Sequence, residues 1–93
     1  MFTALVFGLC AFVVESDGMI KNMEVARYPA VAIGVVAEAR CRVNMVLAEG
    51  FSTPLLPMNG YPHSFRVEKI TQSAAVISMD EARSFSIPRP HSF

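Results

Sequence analysis

An alternation of apolar and polar residues, the most regular pattern in the chain, covers residues 31–47. Every odd-numbered position in this segment is apolar, and four even-numbered positions carry the polar residues Glu38, Arg40, Arg42 and Asn44. Because successive side chains of a β-strand point to opposite faces, this period of two predicts a single strand. A helix would spread the four polar side chains around its circumference. Gly34 predicts a bulge or bend within the strand.

The first part of this alternating segment, residues 30–36, carries no polar side chain on either face. Strands that are covered on both sides have this pattern. We therefore expect Val35 to be buried, and a charge at that position to prevent folding or assembly, since an unpaired buried charge is costly.

The N-terminal residues 1–14 form an apolar run without a charged side chain, and two interpretations fit it. One is a strand buried on both faces. The other is a targeting segment over residues 1–16, cut before Asp17, although such segments normally begin with Lys or Arg and this run does not. The run is shorter than the ~20 residues that cross a bilayer, so membrane contact is expected only through residues 1–14.

Turn signals divide the rest of the chain. Residues 15–18 contain Asp-Gly, a strong hairpin signal, which predicts a return strand over residues 19–28. Residues 49–62 contain three prolines and two glycines, which predict a loop.

The C-terminal third begins with a short alternation that predicts a strand over residues 64–70. Residues 73–79, with Val76 and Ile77 at the centre, predict a further short strand. The S-x-x-E pattern from Ser78 to Glu81 matches a capping box and predicts a short helix over residues 79–85. The sequence as a whole predicts one domain, residues 1–93, that is mainly β. We expect a small barrel or sandwich of about five strands with a short C-terminal helix, the strands lying near 3–14, 19–28, 31–47, 64–70 and 73–79.

The composition indicates more apolar side chain than a small core can bury. Apolar residues make up 53% of the chain and charged residues only 17%, against a typical ~25% charged. A domain of 93 residues buries only roughly 60–65% of its unfolded surface, so the surplus needs another surface to cover it. We therefore expect a non-enzymatic structural or interaction protein, a subunit of a homo-oligomer or larger assembly. The alternative is a secreted or membrane-targeted protein with residues 1–16 as its signal segment.

Charge and candidate chemistry add little to this picture. The formal net charge is zero, which disfavours a nucleic-acid partner. Cys10 and Cys41 are interpreted as buried free thiols. These two cysteines, His63 and His91 are dispersed without metal-ligand spacing, so we expect no metal site, no cofactor and no catalytic residues.

The expected partner is protein, either another copy of this chain or other subunits. Arginine is enriched at protein interfaces, and an apolar loop must dock on its own core or on a neighbour. The residues predicted to form the interface are Arg40, Arg42, Leu55, Leu56, Met58 and Phe93.

Overall fold

A computed structural model of the chain describes residues 3–4, 8–16, 27–58 and 61–89. The described residues are mainly β, which confirms the predicted class, and they contain no helix. The strands are β1 (Thr3–Ala4), β2 (Leu9–Val14), β3 (Ala30–Ala37), β4 (Arg40–Ala48), β5 (Leu56–Met58), β6 (Tyr61–His63), β7 (Phe65–Ile70), β8 (Ala74–Met79) and β9 (Arg83–Pro88).

The strands form three antiparallel sheets, in the orders β1-β2-β3-β4, β5-β6 and β7-β8-β9. Each described strand pairs with its neighbour in sequence, and no pairing between described strands closes a barrel. The two larger sheets share one hydrophobic core, because alternate residues of each point toward the other. The first sheet contributes Leu9, Ala11, Val13, Val31 and Ile33, and the second contributes Phe65, Val67, Ala75, Ile77, Met79 and Ile87.

The prediction of a single strand over residues 31–47 is wrong. The segment is a hairpin in which β3 pairs with β4 from Ala37↔Arg40 to Ala30↔Ala48. Glu38 and Ala39 form the two-residue turn, with φ angles of 54° and 62°. Positive φ at both central positions is the backbone of the tight hairpin turn, which usually selects Gly, Asn or Asp. Glu and Ala at these positions give no turn signal in the sequence.

The bulge predicted at Gly34 is confirmed. The register between β3 and β4 shifts between Ile33 and Gly34, because Ile33 pairs with Met45 while Gly34 pairs with Val43. A Cβ atom at Gly34 would lie 2.0 Å from the backbone oxygen of Arg42. Only glycine lets the two backbones approach this closely.

The strand predicted over residues 3–14 is divided into β1 and β2. Gly8, with a φ of 79°, lies immediately before β2, and residues 5–7 are outside the described part of the chain. Most of the strand predicted over residues 19–28 also lies outside the described residues.

In the C-terminal third, β7 and β8 confirm the strands predicted over residues 64–70 and 73–79. The helix predicted over residues 79–85 is wrong. Asp80 and Glu81 form a turn with φ angles of 53° and 60°, and the chain returns as β9. Within the loop predicted over residues 49–62, β5 and β6 form a short hairpin.

The interpretation of the two cysteines as free thiols is also wrong. Cys10 and Cys41 form a disulfide with a Cα–Cα distance of 5.8 Å. Cys10 lies in β2 opposite Gly34, and Cys41 lies in β4 opposite Val36. The bond therefore crosses over β3 and ties its two neighbours together.

Candidate functional site

The end of the β3–β4 hairpin, residues 35–42, extends past the core and is here called the hairpin arm. None of its eight residues is buried, whereas all five residues before it in β3 are buried. Val35 is 47% exposed, so the expectation that it is buried is wrong. Along β3, the last residue of the hydrophobic core is the preceding inward residue, Ile33.

The predicted interface residues Arg40 and Arg42 lie on this arm and are both exposed. Register places Arg42 opposite Val35 and Arg40 opposite Ala37, so all four residues lie on the face that continues from the core. Arg42 Nη2 lies 3.5 Å from Glu38 Oε2, within the arm itself. The arm thus presents two guanidinium groups beside an exposed valine, and the disulfide at Cys41 anchors it to β2.

Three of the other predicted interface residues, Leu55, Leu56 and Met58, lie in β5 or directly before it. Leu55 is 66% exposed, whereas Leu56 is partly buried and packs against the main core. Met58 lies at the end of β5, and Phe93 lies outside the described residues. Phe51, which the sequence analysis did not select, is 59% exposed.

A second surface feature is a polar groove of about 300 Å³ on the outer face of the β7-β8-β9 sheet. Its lining residues are Ser52, Ser64, Arg66, Ser78, Asp80 and Glu81. Residues 50–53 run antiparallel to β7, with Val67 donating its backbone N–H to Phe51 O at 3.0 Å. Arg66 consequently lies between Ser52 on one side and Ser78 on the other.

One end of this groove is held by the pair of His63 and Asp80. His63 Nδ1 donates to Asp80 Oδ2 at 2.5 Å, and the backbone N–H of Ser64 donates to Asp80 Oδ1 at 2.9 Å. These hydrogen bonds, that of His63 first, hold the pKa of Asp80 below its ordinary value. Asp80 is therefore a fixed anion at neutral pH, and it joins the end of β6 to the β8–β9 turn.

A second set of polar contacts neutralises the arginine of the groove. Ser78 Oγ donates to Glu68 Oε2 at 2.5 Å, and Arg66 Nε lies 3.7 Å from Glu68 Oε1. Asp80 and Glu81 line the groove together with Arg66. Glu68 pairs with Arg66 and His63 pairs with Asp80, so three carboxylates accompany one guanidinium and one imidazole. The groove is therefore net negative whether His63 is neutral or protonated, and it suits a cationic group.

The groove could not be predicted from the pattern of residues that form it, and only the alternation in residues 84–87 indicates part of it. His63 and Asp80 are 17 residues apart, and the residues between them form two strands that return to the same end of the sheet. Asp80 and Glu81 were interpreted as a helix cap. The alternation of Phe85 and Ile87 with Ser84 and Ser86 is the signal that predicts a strand there and a turn before it.

No protein-family model matches the chain, and no curated protein or solved structure shows significant similarity to it. Within the described ranges, no helix is long and apolar enough to cross a membrane. The same residues contain no cluster of three or more side chains that could hold a metal ion.

Proposed function

We propose that this protein is a non-enzymatic interaction protein that works as a subunit of a homo-oligomer or larger assembly. The observation that carries the proposal is the hairpin arm. It holds eight consecutive residues, 35–42, in regular strand and turn structure without burying any of them in their own domain.

Apart from the disulfide at Cys41, such an arm contributes little to the folding of the single chain. Ordering each residue costs roughly 1–2 kcal/mol of backbone entropy, and the arm offsets this cost with backbone hydrogen bonds and little apolar burial. Covering Val35 and the edge of β4 with a second protein surface would supply the missing burial. The zero net charge supports the same conclusion, because little repulsion keeps the copies apart.

The molar mass in solution tests this proposal. Light scattering on the purified, oxidised chain should give a multiple of 10.2 kDa that falls on dilution. The variant Val35→Ser should shift the equilibrium toward the single chain. At concentrations where both proteins are dissociated, its melting curve should match that of the wild type, because the residue lies outside the core. A wild-type protein that stays at 10.2 kDa at every concentration would contradict the proposal.

The second candidate function is a secreted or membrane-targeted protein with residues 1–16 as its signal segment. One observation favours secretion. Disulfides persist in oxidising compartments and are rare in the cytosol of most organisms, and Cys10 and Cys41 form one. We propose that such a protein keeps residues 1–16. β2 lies between β1 and β3, supplies Leu9, Ala11 and Val13 to the core, and holds Cys10.

The intact mass of the protein from its native source tests this second candidate. Retention of residues 1–16, together with two cysteines that do not react with a thiol reagent, agrees with an oxidising location and an uncut chain. A mass that lacks the first 16 residues would support the signal segment and would remove β2 from the mature fold.

A further inference from the structure

We infer that the arginines of the hairpin arm bind the acidic groove of a second copy of this chain, so that subunits join head to tail. This inference rests on the proposed function, because it names the surfaces through which the subunits would assemble. The occupant of the groove is a guanidinium side chain, and its source is Arg40 or Arg42 of the neighbouring copy.

The first argument is charge complementarity between two different surfaces of one chain. The arm carries two arginines against the single carboxylate of Glu38. The groove carries Glu81 and Asp80, which also accepts hydrogen bonds from His63 and Ser64, while its own Arg66 is paired with Glu68. Neither arm arginine pairs with a carboxylate outside the arm in the described residues, so both remain able to meet an external partner.

The second argument is the chemistry and size of the groove. Serine hydroxyls and carboxylates line it, and these groups accept hydrogen bonds from the five N–H donors of a guanidinium. Its volume of about 300 Å³ lies at the lower limit of pockets for drug-sized ligands, which occupy roughly 300–1,000 Å³. A groove of this size admits a long side chain from the tip of a hairpin.

The third argument is that the contact includes apolar area. Exposed ion pairs alone contribute only about 0–1 kcal/mol each. They would orient two copies relative to each other without stabilising the contact enough to keep them together. Val35 lies opposite Arg42 on the same face of the arm, and Phe51 is exposed one residue before Ser52 of the groove. Covering these two side chains supplies burial that the ion pairs do not.

A head-to-tail contact leaves one arm and one groove unused on every pair of chains. Such heterologous contacts continue into a closed ring or an open filament, depending on the angle between subunits. A two-fold dimer joined arm to arm would use only one surface. Mixing two variants distinguishes these arrangements.

The experiment uses two variants of the full chain, each altered on one surface. Arg40→Ser/Arg42→Ser removes the charges of the arm and leaves the groove intact. Glu81→Arg makes the groove positive and leaves the arm intact. All three residues are exposed, and Glu81 already has the positive φ that arginine would take. Both variants should therefore have the wild-type melting temperature at concentrations where all the proteins are dissociated. Arg27→Ser/Lys69→Ser is the matched control, since it removes two exposed positive charges elsewhere.

Light scattering should show that the wild type and the control assemble. The arm variant and the groove variant should each have a molar mass of 10.2 kDa, with a dissociation constant for assembly at least tenfold higher than that of the wild type. An equimolar mixture of the two variants should form a 1:1 dimer and stop there, because only one arm and one groove per pair remain functional. If the wild type assembles and either variant still assembles like it, the inference is overturned and the proposed function stands. Failure of the mixture to pair overturns the inference as well. A monomeric wild type overturns both.

Discussion

Removal of the Cys10–Cys41 disulfide should destabilise the protein by about 3.7 kcal/mol. The bond closes a loop with a sequence separation of 31, and the chain-entropy relation for a loop of that size gives about 12 cal/mol/K, or about 3.7 kcal/mol at 25 °C. For a domain of this length, each kcal/mol shifts the melting temperature by roughly 4–8 °C, so the expected decrease is about 15–30 °C. This is a large part of the ~5–15 kcal/mol that stabilises a typical domain.

Equilibrium urea unfolding of the wild type and of Cys10→Ala/Cys41→Ala measures the difference directly. Both proteins are compared at one concentration, because assembly also stabilises the folded state. A reductant should lower the stability of the wild type toward that of the variant and leave the variant unchanged. A loss below about 1 kcal/mol, or two reactive thiols in the native wild type, would refute the reasoning.

Three further perturbations probe the core, the bulge and the groove. Phe65→Ala should lower the free energy of unfolding by about 3–5 kcal/mol in urea titrations, because Phe65 is fully buried between the sheets. Gly34→Ala should cost about 3 kcal/mol in the same assay, since the new Cβ atom would overlap the backbone oxygen of Arg42. The His63 hydrogen bond lowers the pKa of Asp80 in the folded state, so this stabilisation is present above the ordinary value of 3.8 and is lost as the pH falls below it. In melting curves between pH 6 and pH 2, Asp80→Asn should therefore show a shallower acid decline than the wild type, and an identical decline would contradict the assignment.

The β3–β4 hairpin explains why the regular alternation over residues 31–47 led to the wrong prediction of a single strand. In the arm, Ala37 pairs with Arg40, so odd positions of β3 share a face with even positions of β4. Asn44 is the extra residue of β4 in the bulge opposite Gly34. It reverses this relation, and Ile33 then pairs with Met45. The two changes of phase cancel, which leaves an unbroken apolar alternation in the sequence. Gly34 indicated the bulge in the sequence, but no residue type at the Glu38-Ala39 turn indicated a turn.

The predictions for β7 and β8 were correct because each strand points alternate residues into the core, and burial there selects apolar residues. The helix over residues 79–85 failed because the residues of the capping box have other partners. Ser78 bonds Glu68, and Asp80 bonds His63 and the backbone of Ser64. These partners come from distant parts of the chain, and a local motif contains no information about them.

Amide hydrogen exchange of residues 35–42 tests most directly whether the hairpin arm is an interface. Our account predicts that amides of the arm exchange slowly in concentrated protein and faster on dilution, while core amides of β3 such as Ile33 stay protected at both concentrations. Exchange in the arm that is rapid and independent of concentration would contradict it.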